Sequence, residues 1–390
     1  MQATEKPLKN SQENPMDAYR YFFPAGWLLG VWGVLLWLFF PLNLVAYPGP
    51  FHPLVMMGGF FLCFVCGFLM TAAPKFTASF PPARSELWMS ATLLAGLFIS
   101  ALCESSLVFH LAALLLLGFL VLFLARRFFH RTQSPPQAFV FVGVGMGCAL
   151  LGVTLLILGD LDWAADSWLH LGRLLFLQGY ILALVLGVGS RLVPALLGRG
   201  PLPNANEGMK RSPAKLSLFL ILAFLFVGSY IVEVFLHEFA GTFLRSVVIT
   251  FMFFQLWKIY LLPARKGYQP FWLWVSAWFL LIGQWSATLW PDYRQHSLHL
   301  VFISGLGLMT LMIATRVSLS HGEHGLELEK NSKAIVAGAL LLILAALTRV
   351  SAGFSAVIYQ SHLIYASCTW ILGLLVWGWV YLPKMIFPKK

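Results

Sequence analysis

The chain has 390 residues, of which 59% are hydrophobic and only 11% are charged, whereas about 25% of the residues of a soluble domain are charged. This composition excludes a water-soluble globular protein, because only a lipid bilayer can cover so much apolar surface. The formal net charge of +11 comes from short, scattered basic segments without a recognition motif, so it does not indicate nucleic-acid binding.

Twelve apolar stretches follow one another, each near the roughly 20 residues that a helix needs to cross a bilayer. They predict an all-α integral membrane protein with about 12 transmembrane helices. Polar residues 1–20 are expected to form a cytoplasmic tail without a cleavable signal peptide, and residues 21–390 a single polytopic transmembrane domain. The predicted spans cover residues 23–43, 54–74, 87–104, 107–125, 138–158, 169–193, 215–236, 240–262, 271–290, 297–316, 334–351 and 361–382.

The basic residues predict how this domain is oriented, because short cytoplasmic loops carry an excess of Lys and Arg. If the N-terminus is cytoplasmic, all but four of the 26 basic residues lie on that side. An even number of spans then returns the C-terminus to the cytoplasm as well. The four outer exceptions are Arg173, Arg245, Arg294 and Arg349.

Histidines gather at the outer mouths of the even-numbered spans, which run inward. Five of these six spans begin with a histidine, and the sixth follows His237. Imidazole is the commonest metal ligand and is costly in hydrocarbon without a partner. The pattern therefore predicts a metal or haem centre near the outer surface. The five histidines are His52, His110, His170, His299 and His362.

A faint repeat of four helices is also present. Spans two, six and ten each have a histidine at the outer mouth and a hydroxyl residue at the inner end. This predicts three four-helix arcs. Haem–copper oxidase core subunits have a similar twelve-helix plan and draw their ligands from spans two, six and ten. The alternative division is six plus six, as in many transporters.

His52 and His299 are the first candidate ligands, because spans two and ten can present two imidazoles to one iron. A haem held from both faces has no open site, so it would transfer electrons rather than bind a gas. His296 lies one turn before His299 and can share its face. It could serve copper or a propionate, or simply lie exposed in the preceding loop.

His170 and Arg173 are the next candidates at the outer side. Arg173 could pair bidentately with a haem propionate. The alternative is a salt bridge to a nearby carboxylate, from Asp160, Asp162 or Asp166.

A separate group lies at the inner end of span ten, where His321 and His324 follow Arg316. The hydrocarbon core is about 30 Å thick, so these residues cannot ligate the same metal as His52. They could form a second cofactor or metal site. The alternative is a histidine placed against the negative end of a helix dipole.

Two close pairs have both a structural and a functional interpretation. Glu233 and Arg245, near the outer ends of spans seven and eight, predict a buried ion pair or a proton path. Cys63 and Cys66 lie one helical turn apart, so they are either small packing residues or a copper-binding pair.

Several stretches, in their order and spacing, resemble the NnrS family of bacterial haem- and copper-containing membrane proteins. His52 and His299 fall on family histidines, and His321 falls in a stretch similar to the family's Gly-His-Thr-Gly segment. Leu54 and Val55 stand at a family histidine and glutamate, so a centre that needs those groups would be altered. The similar stretches are residues 19–24 (YRYFFP), 67–74 (GFLMTAAP), 191–195 (RLVPA), 305–310 (GLGLMT), 315–322 (TRVSLSHG) and 349–352 (RVSA).

The resemblance implies a multi-pass protein of the bacterial inner membrane that binds haem, expected to be b-type, and copper. It also implies a role in nitric oxide metabolism or the nitrosative stress response, with nitric oxide or a redox partner as the interacting molecule. Whether the protein is an enzyme is left open. The alternatives are a twelve-helix permease and a factor that handles haem or copper for oxidases.

Overall fold

The computed structural model describes residues 17–200, 212–322 and 324–387. Every regular element in these residues is helical, which confirms the all-α prediction. The predicted tail is described only from residue 17 onward. Of the basic residues assigned to the cytoplasmic side, Lys6, Lys9, Lys210 and Arg211 are among those that lie outside the described residues.

Twelve long helices, numbered as the predicted spans, make up the fold. A short helix, Glu327–Asn331, lies between α10 and α11. The long helices are α1 Tyr19–Leu42, α2 Phe51–Thr77, α3 Arg84–Leu102, α4 Ser106–Phe129, α5 Gln137–Asp160, α6 Asp166–Leu196, α7 Pro213–Phe235, α8 Glu238–Trp257, α9 Tyr268–Leu289, α10 Pro291–His321, α11 Lys333–Phe354 and α12 Ala356–Ile386.

Within the described residues, eleven of these helices are both long and apolar enough to cross a membrane. The exception is α9, which has 22 residues but carries four tryptophans and two glutamines that lower its mean hydropathy. At its start, Gly267 lies so close to the short helix that a Cβ there would be 2.9 Å from the Lys330 Cα. At its end, the Thr288 hydroxyl is 2.8 Å from that of Ser246 in α8. Helix α9 therefore runs from one end of the bundle to the other, as a twelfth crossing does.

Helices α2, α6 and α10 occupy the centre of the bundle. In the most apolar 18-residue stretch of these three helices, 89%, 78% and 67% of the residues are buried. The corresponding share in the other membrane-spanning candidates is 28–44%. The Tyr180 hydroxyl of α6 donates to the Met57 carbonyl of α2, joining two of the three. The central helices are thus four apart in the chain, which fits the predicted repeat.

Each central helix widens from an α-helix to a π-helix just after its outer histidine. The π-helical segments are Val55–Phe61, Leu175–Gly179 and Leu300–Gly307. Such segments are rare, and they are frequent at functional sites. We call the end of the bundle that carries these histidines the outer end and the opposite end the inner end, following the predicted orientation.

Candidate cofactor site

A cavity of about 260 Å³ lies at the outer end, lined by residues of α1, α2, α6, α10, α11 and α12. Its wall includes both His52 and His299, so the structure brings the two first candidate ligands to one space. Most of the wall is apolar, with Trp37, Phe61 and Trp370 among its large side chains. We call this space the outer cavity.

The ring of His52 is fixed by the neighbouring helix. Its Nδ1 lies 2.8 Å from the Gly33 carbonyl oxygen of α1. Because a carbonyl only accepts, Nδ1 carries the proton and Nε2 keeps a free lone pair. The Trp37 indole meets the imidazole edge-on, with 5.9 Å between ring centroids.

His299 is fixed in the same way by its own helix. Its Nδ1 donates to the Gln295 carbonyl oxygen at 2.7 Å, so its Nε2 is also unprotonated. Neither Nε2 has a hydrogen-bond partner among the residues that the structure describes. An imidazole that donates through one nitrogen and offers the other is the usual state of a metal-ligating histidine.

Arg349, near the outer end of α11, also lines the outer cavity. Its Nη1 donates to His296 Nδ1 at 2.7 Å, and the His296 ring meets Tyr359 at right angles. The guanidinium is 7% exposed and is the one basic side chain in the described wall. It therefore has the position, beside the two imidazoles, that suits a carboxylate of a bound cofactor.

His296 itself is not part of the outer-cavity wall. Its Nδ1 accepts from Arg349, so that nitrogen is not free for copper. The described residues contain no cluster of three or more His, Cys, Asp or Glu side chains that could hold a metal ion. Copper binding through His296 stays a prediction.

The structure does not bring His170 and Arg173 to the outer cavity. Both are exposed on the first turns of α6, and neither belongs to the cavity wall. Among the described residues Arg173 has no salt bridge, and the Asp160 carboxylate bonds His110 and Ser106 instead. The propionate role of Arg173 stays a prediction, and Arg349 is the arginine that lines the outer cavity.

The remaining outer histidines have partners of their own. His110 is 3% exposed and bonds Asp160 through Nδ1 at 2.6 Å, a pair that the sequence did not predict. His237 accepts from the Ala240 N–H and caps α8. His362 bonds the Ser351 hydroxyl at 2.8 Å. None of the three lines the outer cavity.

At the inner end, His321 is also engaged. Its Nε2 lies 2.5 Å from Lys75 Nζ, and its Nδ1 lies 3.1 Å from the Val317 carbonyl oxygen. His324 Nε2 donates to the Lys384 carbonyl at 3.1 Å. These groups lie at the opposite end of α10 from His299. A cofactor at the inner end stays a prediction, and it would have to displace Lys75 to use His321 Nε2.

Arg316 holds Glu329 of the short helix rather than an open space. Its Nη1 donates to both carboxylate oxygens, at 2.9 and 2.8 Å. Burial raises the pKa of the Glu329 carboxyl, and Arg316 opposes that rise by stabilising the charged form. The pair ties the inner loop to α10, so a cofactor-binding role for Arg316 has no geometric support beyond its position.

The predicted ion pair between Glu233 and Arg245 is confirmed. Arg245 Nη2 donates to Glu233 Oε2 at 2.6 Å, and both side chains are fully enclosed. Arg294 bonds the other Glu233 oxygen and reaches exposed Glu238 as well. The Arg245 guanidinium also lies over the Tyr230 ring, 4.1 Å from its centroid. This cluster ties α7 and α8 to the start of α10.

Comparison with known families gives one result that covers nearly the whole chain. The family described as NnrS protein matches residues 16–389. No curated protein sequence matches the chain.

Proposed function

Because the chain belongs to the NnrS family, we propose that it is a haem-binding membrane protein of bacterial nitric oxide metabolism, in which His52 and His299 would hold the iron of a b-type haem. One observation carries the proposal. Two imidazoles from two central helices line one cavity, and each has its Nδ1 bound to a backbone carbonyl and its Nε2 free.

The residues of the outer cavity fit a haem in three respects. The two Nε2 atoms would supply nitrogen ligands to the iron. Arg349 supplies a cation for a propionate at the outer side. The apolar wall, including Trp37, Met56 and Trp370, suits the flat apolar ring of a porphyrin and excludes water.

A haem held there would supply one-electron exchange. The protein's own contribution is to hold each imidazole in one tautomer through Gly33 and Gln295, and to neutralise negative charge with Arg349. The proposed interacting molecule is a redox partner or nitric oxide. The site lies near the outer face, so the partner need not enter the membrane.

The test is the absorbance spectrum of the purified protein. We expect sharp low-spin haem bands in the reduced-minus-oxidised difference spectrum, and a pyridine haemochrome of haem b. Metal analysis of the same sample tests for copper. Substrate uptake by vesicles that contain the protein without any chromophore would contradict the proposal and favour a permease.

The orientation belongs to the same proposal, with both termini in the cytoplasm of a bacterial inner-membrane protein. A reporter that is active only in the periplasm should be inactive when fused after Lys390 and active when inserted in residues 159–168. The reason is the excess of Lys and Arg on the assigned cytoplasmic side. The opposite pattern would place the outer cavity at the cytoplasmic face.

A further inference from the structure

A second space lies on the axis of the bundle, between the three central helices. It has a volume of about 90 Å³ and lies deeper than the outer cavity. Its wall comes from one face of α2, one of α6 and one of α10, with Phe23 of α1 closing a side. We call this space the axial chamber.

On α6 and α10 the axial chamber begins about one to two helical turns below the outer cavity. On α6 the outer cavity reaches Gln178 and the chamber starts at Ile181, and on α10 the corresponding residues are Ile303 and Met309. On α2 a single side chain, Phe61, lines both spaces. The phenyl ring of Phe61, 1% exposed, is thus the partition between them. From Phe61 the chamber extends along α2 to Leu69, a rise of about 12 Å.

The chemistry of the wall selects what can enter. The only polar side chain that lines the described chamber is Thr310, and no charged residue lines it. A buried water needs two to four polar partners, so one hydroxyl cannot hold a water chain, whereas apolar cavities of comparable size stay dry and bind xenon or benzene. Ions and polar solutes are excluded for the same reason.

The volume sets the size of the occupant. One water molecule requires about 10–15 Å³ of such cavity volume, so the chamber has room for a few molecules of two or three atoms. A porphyrin does not fit in about 90 Å³. The space is therefore suited to a small uncharged molecule that dissolves in the bilayer.

We propose that the axial chamber is a binding site for a small, uncharged, apolar diatomic molecule, held next to the outer cavity behind Phe61. The identification of that molecule as nitric oxide rests on the proposed function; the binding of an apolar gas does not. If His52 and His299 both held the haem iron, a gaseous reactant would have to be held beside the haem. The axial chamber shares Phe61 with the outer cavity and has an almost wholly apolar wall.

The test uses xenon as the probe, in crystals of the full-length protein pressurised with the gas. We expect a xenon peak between Phe64, Leu184 and Ile313. Two variants, Val65→Phe and Val185→Phe, fill the chamber from different helices, and each should abolish the peak while the haem bands stay unchanged. With nitric oxide in place of xenon, the infrared band of the unbound gas in an apolar site should be lost in the same variants.

Thr310→Val is the matched control, because it removes the one hydroxyl at nearly constant volume. It should keep or strengthen the xenon peak. Ordered water or an acyl chain in the wild-type chamber would overturn the proposal, as would xenon bound elsewhere in the crystal but not there. Xenon binding without haem bands would refute the proposed haem function alone, and haem bands without xenon would refute the chamber alone.

Discussion

Replacement of His299 by alanine is expected to remove the haem bands of the purified protein, and replacement of His52 should do the same. Each substitution deletes one of the two Nε2 ligands that line the outer cavity. Loss of a group that merely orients a ligand lowers metal affinity by about 10–100-fold, so loss of the ligand itself should exceed that range. The measurement is haem content per protein after membrane extraction, with insertion checked by yield and by size-exclusion chromatography.

A matched control for these variants is His362→Ala. His362 is also an outer histidine at the start of a helix, but it bonds Ser351 and does not line the outer cavity. The control should retain full haem content. Added imidazole should restore the bands in His299→Gly, which a purely structural role for His299 would not predict. Full haem content in both ligand variants would reject the pair and direct attention to His170 or His362.

The fold was largely predictable because length and hydropathy are properties of each helix alone. The twelve predicted spans all correspond to helices, although α6, α10 and α12 extend to 31 residues and project beyond the predicted spans. Helix α9 was predicted as an apolar stretch at residues 271–290, although it falls below the hydropathy of the other eleven helices in the described residues. The π-helical segments were not predictable, since they depend on packing between the central helices and not on a local sequence pattern.

The candidate site was predictable only as far as membrane depth determines it. Depth alone placed His52 and His299 at the same level, and the structure brings them to one cavity. Which side of a helix faces the cavity depends on tertiary packing. For that reason Arg349, which the sequence analysis did not choose as a cofactor-binding residue, lines the outer cavity, whereas Arg173 does not. The buried pair of His110 with Asp160 was missed for the same reason.

Replacement of Glu233 by glutamine is expected to destabilise the protein by about 3–5 kcal/mol, the usual effect of removing one partner from a buried ion pair. Glu233 is the shared counter-charge of Arg245, which is 1% exposed, and of Arg294. Glutamine keeps the size but leaves the enclosed Arg245 guanidinium without a negative partner. The measurement is the midpoint of denaturant or thermal unfolding in detergent, compared with the wild type.

Two further variants separate this effect from a general loss of charge at the outer end. Glu238→Gln removes the exposed carboxylate that also bonds Arg294, and it should change stability by only about 0–1 kcal/mol. The double variant Glu233→Gln with Arg245→Met removes the unpaired buried charge and should recover much of the lost stability. If Glu233→Gln unfolds within about 1 kcal/mol of the wild type, the pair does not act as a structural tie. The proton-path interpretation of Glu233 would then be favoured, because a carboxyl that readily accepts a proton tolerates its neutral replacement.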